Sequence, residues 1–360
     1  MLFFIYRHKH LSVKSVINYT MKKPSTSLAI AACLLLLITS CEKNESDLNS
    51  VLSSSGIERE MKVNKGTPIV TPTSFTIINN LSSAYLENTN HINLSSNTDY
   101  QYFNSVTDGN IILTLPEPMA TYSSSFGRDN NWLETPGPNL LYKLTRVPVT
   151  FVLSKPVKTF GFEYLGVSHR DEFYDVTVKF FNGDKLVGNI TVPISAVSRK
   201  VTLFAASTSD VFTKVVLGSE LELIVGHIRY QEAAEMDIDP KSCPNIFSLN
   251  SKGVLPVSIF GSADLDVNNI DLSTIKLNGI AAIVSQSKNM EKAAGKNKSN
   301  CSVTASDNFN DLTINFDPEM IARSLGNVSD GQSVELTLTF STKSGIKFGA
   351  TDYITVDKKK

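Results

Sequence analysis

Val176-Thr177-Val178-Lys179-Phe180-Phe181-Asn182-Gly183, followed by Leu186 to Val192, is the stretch that decides the fold class. Val176, Val178 and Phe180 alternate with Thr177 and Lys179. Successive side chains of a strand point to opposite faces, so this period of two describes a half-buried β-strand. Asn182-Gly183 then marks a two-residue hairpin turn, because both residue types tolerate the positive φ that such a turn needs. Leu186 to Val192 supplies the return strand.

The same pattern extends outward in both directions. Val149, Phe151 and Leu153 alternate ahead of Ser154-Lys155-Pro156, and Phe160-Gly161-Phe162 opens a further strand. Downstream, Leu312, Ile314 and Phe316 alternate with Thr313 and Asn315, and Val334, Leu336, Leu338 and Phe340 alternate with Glu335, Thr337 and Thr339. Many short strands with turn punctuation and no long amphipathic helix predict an all-β chain of sandwich or jelly-roll type. One short helix is expected where Asp317 is an N-cap, Pro318 takes the first helical position and Gly326 stops the run. Ile321 and Leu325, four apart, would face the sheet. The expected architecture is two tandem β-sandwich, jelly-roll-like domains over residues 75–231 and 236–357. Glu232-Ala233-Ala234-Glu235 reads as the linker between them, and Ser285 to Ser302, rich in Lys, Asn and Ser, as a mobile loop.

The first 74 residues have a different character. Leu28 to Ile38 is uninterruptedly apolar, preceded by Lys22-Lys23 and followed by Ser40-Cys41. A basic segment, a short apolar core and small residues at a cleavage point describe a secretory signal peptide over residues 1–40. The core falls short of the roughly 20 apolar residues that a spanning helix needs. Met21-Lys22-Lys23 reads as the translation start, which makes residues 1–20 an upstream extension. Ile38-Thr39-Ser40-Cys41 resembles the bacterial lipobox, which implies that Cys41 is lipidated and becomes the mature N-terminus. The competing reading is a buried helix in which Cys41 is a core thiol. Residues 41–74 carry the lipidated end and a Ser-, Asn-, Glu- and Lys-rich flexible tether. Glu42, Glu45 and Asp47 resemble the acidic tethers of lipoproteins sent to the outer membrane, some of them to its outer face.

Composition narrows the function classes. The chain has 34 basic and 35 acidic residues. Removing the five basic residues of the leader, which has no acid, leaves 29 against 35 and a mature charge of about −6. That argues against nucleic acid as a partner, whose binding rests on Lys and Arg neutralising phosphates. Apolar content of 41% suffices for packed cores. Cys33 leaves with the leader and Cys41 takes lipid, so Cys243 and Cys301 remain in a compartment where disulfides persist. A bridge between them would contribute about 4 kcal/mol on a chain-entropy estimate; two free buried thiols are the other reading.

Two stretches resemble known modules. Ser154-Lys155-Pro156-Val157 with Phe160-Gly161-Phe162, then Leu203 to Thr208, Phe212 to Val215 and His227-Ile228-Arg229-Tyr230, resemble a jelly-roll module of bacterial surface proteins. Exosortase-sorted, PEP-CTERM-like proteins carry it. The likeness covers roughly residues 98–230 and implies fold more than activity. Asp237-Ile238-Asp239-Pro240-Lys241-Ser242-Cys243-Pro244-Asn245, followed by Ser251-Lys252-Gly253-Val254-Leu255-Pro256-Val257, resembles a second module written around DIKPGSCPN and SKGVLPVAILG. Asp271 to Ile275 and Asp311 to Asp317 continue that likeness over residues 236–357. Asp239 stands where that family has lysine, and Lys241 where it has glycine. The family's acidic DGDGD-type run is reduced here to Asp307-Asn308-Phe309-Asn310-Asp311.

Few residues suggest a site. Asp307, Asn310 and Asp311 offer oxygens to Ca²⁺, although six to eight are needed and a solvated turn explains them too. Trp132, the only tryptophan, sits among Asn and Pro residues near Tyr122, Arg128 and Asp129. An amphipathic aromatic so placed suits stacking on a sugar or peptide, though packing explains it as well. His91, His169 and His227 lack HExxH spacing, and His227 within a strand reads as structural. No catalytic residue and no required cofactor is assigned. The leading expectation is a non-enzymatic envelope lipoprotein whose first sandwich serves adhesion or glycan binding. A structural or assembly protein docking another envelope protein is the alternative. A hydrolase with two carboxylates in a sandwich groove is the third.

Overall fold

In the computed structural model, residues 75–92, 101–122, 132–134, 140–143, 148–167, 173–195, 201–218, 222–283, 296–297, 302–303 and 309–358 are described. The leader, Cys41 and the tether lie outside them. Among the described residues no helix is long and apolar enough to cross a membrane.

The N-terminal portion begins with β1 (Phe75–Ile77), α1 (Ser83–Asn88), β2 (Asn90–Ile92), β3 (Tyr102–Thr107), β4 (Ile112–Tyr122) and β5 (Leu140–Lys143). Five longer strands follow: β6 (Val149–Val167), β7 (Phe173–Asn182), β8 (Lys185–Ser195), β9 (Thr202–Gly218) and β10 (Glu222–Ala233). The hairpin that opened the reading is β7–β8, and Val176, Val178 and Phe180 are buried as their alternation requires. Its loop is Gly183-Asp184, one residue later than expected. Asn182 stays paired with Lys185, while Gly183 supplies the positive φ at +59°.

β6 is the organising strand. Ser154-Lys155-Pro156 does not end it, but the pairing register breaks between Val152 and Val157 and again before Thr159. Phe151 and Phe160 are nine residues apart, which in a straight strand is about 30 Å. Their ring centroids are 5.4 Å apart, and Phe151 lies 5.6 Å from Phe162. β6 therefore folds over at Ser154–Lys158 and lines two facing walls, the way bulged strands turn the corners of sandwiches. β9 follows it through the corner, pairing Val215 with Phe151 and Phe204 with Phe162. The core between the walls is largely aromatic and aliphatic: Phe151, Phe160, Phe162, Phe180, Phe212 and Tyr230 are fully buried.

The C-terminal portion comprises β11 (Glu235–Ile238), β12 (Ile246–Ser248), β13 (Leu255–Phe260), β14 (Ile270–Leu277) and β15 (Ile280–Ala281). It continues with β16 (Lys296–Asn297), β17 (Ser302–Val303), β18 (Leu312–Phe316), α2 (Pro318–Ser324), β19 (Ser333–Thr342) and β20 (Lys347–Asp357). A three-stranded sheet, β11-β13-β18, faces the run β15-β14-β19-β20. Val257, Ile259, Ile314 and Phe316 from one side meet Leu336, Leu338 and Ile354 from the other. The short helix forms where expected. The Asp317 side chain accepts the Glu319 N–H at 2.8 Å, Pro318 follows, Ile321 is buried, and Gly326 takes a φ of +65°. The chain is all-β and sandwich-like. Of the Ser285–Ser302 stretch, the described part is Lys296–Asn297 with Ser302, in the β16–β17 pairing.

The linker expected at Glu232–Glu235 is instead sheet. Glu232 and Ala233 pair in parallel with Phe348 and Gly349 of β20, and Ala234 N–H donates to Gly349 at 2.9 Å. Their amides are committed to the sheet, so the segment cannot swing freely. Asn90 adds a side-chain copy of a β-bridge. Its amide donates to the Lys347 carbonyl at 3.1 Å and accepts the Lys347 N–H at 2.8 Å. Gly349 lets the Gln231 side chain come close here, since a Cβ would lie 2.2 Å from its oxygen and force it to move. The buried Lys158 ammonium donates to Thr351 Oγ1 at 2.7 Å and to the Ser209 carbonyl, tying the β6 and β9 corners to β20. Two hydrophobic cores thus lie on either side of a hydrogen-bonded seam within one compact unit, Pro68–Lys360.

Glu232 is 1% exposed and takes the Asn110 amide and, at 3.5 Å, the Lys155 ammonium. Burial pushes its carboxyl above the usual range, against the pull of Asn110 and Lys155. A raised folded value means that the folded chain holds this proton more tightly than the unfolded one. Its contribution to stability therefore declines as pH rises above about 4.5 toward the folded value. Glu232→Gln is expected to flatten that decline, measured as the difference between wild-type and variant urea midpoints from pH 4 to pH 8.

Candidate functional site

The strongest concentration of buried polar chemistry lies on β10, where the strand departs from regular pairing. Gly226 pairs with Glu163 and Arg229 with Gly161, so β10 carries one extra residue, a β-bulge. His227 sits in this bulge with φ of +45°, a conformation uncommon for a residue with a Cβ. Ile228 and Tyr230 point into the apolar core, fully buried. His227 and Arg229, two residues apart, therefore share the other face. β2 pairs antiparallel here and sets His91 opposite Arg229.

A third segment completes the cluster. Trp132 packs with Leu165, Val201 and Ile224, while its ring meets His227 edge-on at 6.4 Å between centroids. The two residues after it are held by Glu163 of β6. Its Oε2 accepts the Leu133 N–H at 2.8 Å, and its Oε1 accepts the Glu134 N–H at 2.9 Å. Glu134 reaches into the cluster from this clasp. Arg229 Nε donates to Glu134 Oε2 at 2.8 Å, and Nη2 donates to Oε1, a two-pronged pair. Arg229 Nη1 also donates to the Thr89 carbonyl at 3.2 Å and to its Oγ1 at 3.3 Å. His227 Nδ1 lies 3.3 Å from His91 Nε2 and 4.0 Å from Glu134 Oε2.

Charge in this environment is perturbed in both directions. Burial pushes Glu134 upward, but its hydrogen bond and charge contact with Arg229 outweigh that and hold it below the usual carboxylate range. Burial dominates for Glu163 and raises it, despite the two backbone N–H groups that favour its anion. Burial and then the Arg229 charge lower His91. Tyr85, on α1, has a buried hydroxyl without a hydrogen-bond partner among the described residues. It presses against β6 so closely that a Cβ on Gly161 would lie 2.4 Å from it.

The residues expected to form sites are placed differently. Trp132 is 7% exposed, so its faces are covered by protein and it offers no sugar platform. Of its expected neighbours, Arg128, Asp129 and the Tyr122 side chain lie outside the described residues. Asp311 is 4% exposed and accepts the Gly261 N–H at 3.0 Å through one carboxylate oxygen. Asn310 is exposed, with its carbonyl where a Cβ on Gly261 would collide, and Asp307 lies outside the described residues. Cys243 is disulfide-bonded, and Cys301 is outside the described residues. His227, read as structural, proves to be the centre of the cluster. The sequence does not join His91, Glu134, Glu163 and Arg229, because long stretches of chain separate them. The available signals were an acid inside the buried run Phe160-Gly161-Phe162-Glu163-Tyr164, and the polar face of His227-Ile228-Arg229-Tyr230.

No family model and no curated protein matches the chain. Solved structures similar to parts of it include the N-terminal domain of the Streptococcus gordonii adhesin Sgo0707. That comparison has 7% identity and a TM-score of 0.20, over 80% of this chain and 90% of that one. The adhesin domain of Epf from Streptococcus pyogenes is another, with 9% identity and a TM-score of 0.19, over 81% of this chain and 99% of that one.

Arg229 is the cation that offsets the burial of Glu134. The Arg229 and Glu134 side chains are only 11% and 15% exposed, so removing one partner strands the other. Arg229→Met is expected to cost roughly 3–5 kcal/mol in denaturant unfolding, and Arg229→Met with Glu134→Leu less than Arg229→Met alone.

Proposed function

We propose that the chain is a non-enzymatic lipoprotein of the bacterial cell envelope that holds a stiff pair of β-sandwiches away from a membrane for attachment. One observation carries the reading. Main-chain hydrogen bonds run without interruption from the first core into the second at Glu232–Ala233 and Phe348–Gly349. A hinged pair of domains suits closure around a substrate, whereas a seam stitched by backbone, Asn90 and Lys158 suits presentation of a fixed surface. The apolar run before Ser40-Cys41 supplies the export signal, and lipid on Cys41 supplies the anchor. Each buried methylene contributes about 0.8 kcal/mol, and stable anchoring takes more than one acyl chain. The acidic residues after Cys41 support the outer membrane, and its outer face, as the destination. A glycan or another envelope protein is the attachment target in this reading, and with Trp132 buried the contact surface lies elsewhere.

Two measurements test it. Expressed in a Gram-negative host, the wild-type chain is expected in the membrane fraction and open to protease on intact cells, while Cys41→Ala appears in the soluble periplasmic fraction. Membrane retention of Cys41→Ala defeats the anchor, and a purified mature chain that binds neither a glycan array nor envelope extract defeats the attachment role. For the stiff seam, a Glu-specific protease is expected to spare Glu232 and Glu235 until the whole unit unfolds. Early cleavage there would show a hinge.

A further inference from the structure

We infer that His91, His227 and Glu134 form a binding site for a divalent transition metal of the zinc class. The donor atoms of the three residues all lie within 4.8 Å of one another. Four ligands at roughly 2.1 Å from a tetrahedral metal stand about 3.4 Å apart, and His91 Nε2 to His227 Nδ1 is 3.3 Å. Glu134 Oε2 lies 4.0 Å from His227 Nδ1, so the carboxylate must move toward the two imidazoles to close the triangle. Two imidazoles and one carboxylate select zinc, cobalt, nickel, copper or iron(II) over calcium and magnesium, which take oxygen ligands.

The surroundings have the support that such sites use. Ligating carboxylates are normally oriented by a further hydrogen-bond partner. Arg229 donates to both carboxylate oxygens of Glu134, Nε to Oε2 at 2.8 Å and Nη2 to Oε1, which fixes the carboxylate plane and leaves the second lone pair of Oε2 for a metal, and Glu163 clasps the backbone of Leu133 and Glu134. The His227 backbone departs from the allowed strand region to place its imidazole here. The orphaned Tyr85 hydroxyl stands within electrostatic reach of Arg229, Glu134 and Glu163. Three protein ligands leave a coordination position for water or a donor from a partner, as in sites that are not fully enclosed. The three ligands come from β2, β10 and the segment ahead of β5, so the metal would staple chain regions far apart in sequence.

The test uses the mature chain without a polyhistidine tag, stripped with a chelator and dialysed. Titration with Co²⁺ is expected to give visible d–d absorption saturating at one metal per chain and lost on adding Zn²⁺. Zn²⁺ is also expected to raise the thermal midpoint, as a ligand of the folded state must. His91→Gln and Glu134→Gln should each weaken binding by more than the roughly 10–100-fold typical of losing an outer-shell partner. His227→Asn does the same while keeping a residue type that tolerates positive φ. Asp184→Asn, in the exposed β7–β8 turn, should bind like wild type. Circular dichroism identifies any variant that fails to fold, and the remaining two then decide. Absence of one-to-one binding up to about 100 µM metal overturns the site, as does binding that survives His91→Gln. Binding that survives Glu134→Gln overturns the three-ligand assignment.

Discussion

The main-chain ladder along β10 is the constraint on which the rest depends. On one side it pairs with β6 from Glu222 to Glu232, and at its end it passes directly into parallel pairing with β20. β2 and β5 attach to the same strand. β2, β5, β6 and β20 are therefore all positioned from one backbone. The bulge at His227 shows the advantage of this: a local departure can re-aim a side chain because the ladder on either side of it stays intact.

The interior contains more ionisable groups than a purely apolar sandwich requires. Glu163, Glu232 and Lys158 are each buried to a few percent exposure or less. Burying charge is costly unless partners replace water, and the partners here join distant parts of the chain. Lys158 reaches from a β6 corner to β20, Lys155 and Asn110 meet Glu232, and Glu163 holds the Trp132–Glu134 segment. Such groups add little net stability over well-packed hydrophobics. They do fix which segments meet, since a misdocked strand would leave a bare charge inside.

The sequence disclosed what depends on local periodicity. Val176, Val178 and Phe180 alternate and are buried; Asp317-Pro318 and Gly326 bound a helix. It misled where local composition contradicts tertiary context. Glu232-Ala233-Ala234-Glu235 looks like a linker because it is short and rich in Glu and Ala, yet β20 captures its backbone. Ser154-Lys155-Pro156 looks like the end of a strand because proline and polar residues interrupt it, yet it is the corner of one strand. The cluster was least legible of all. His91, Glu134 and His227 share no motif; pairing with β10 brings His91 to His227, and the Glu163 clasp brings Glu134 to both.

The folded-over β6 also bears on how the chain finds its structure. In most sandwiches the facing walls come from different strands, and their contacts wait on long loops closing. Here Phe151 and Phe160 belong to both walls and are separated by nine residues. Closing a loop of about ten residues takes on the order of 10–100 ns, far less than assembling distant strands. The corner thus adds to a sheet dominated by long-range pairing one aromatic contact whose loop-closure entropy is small.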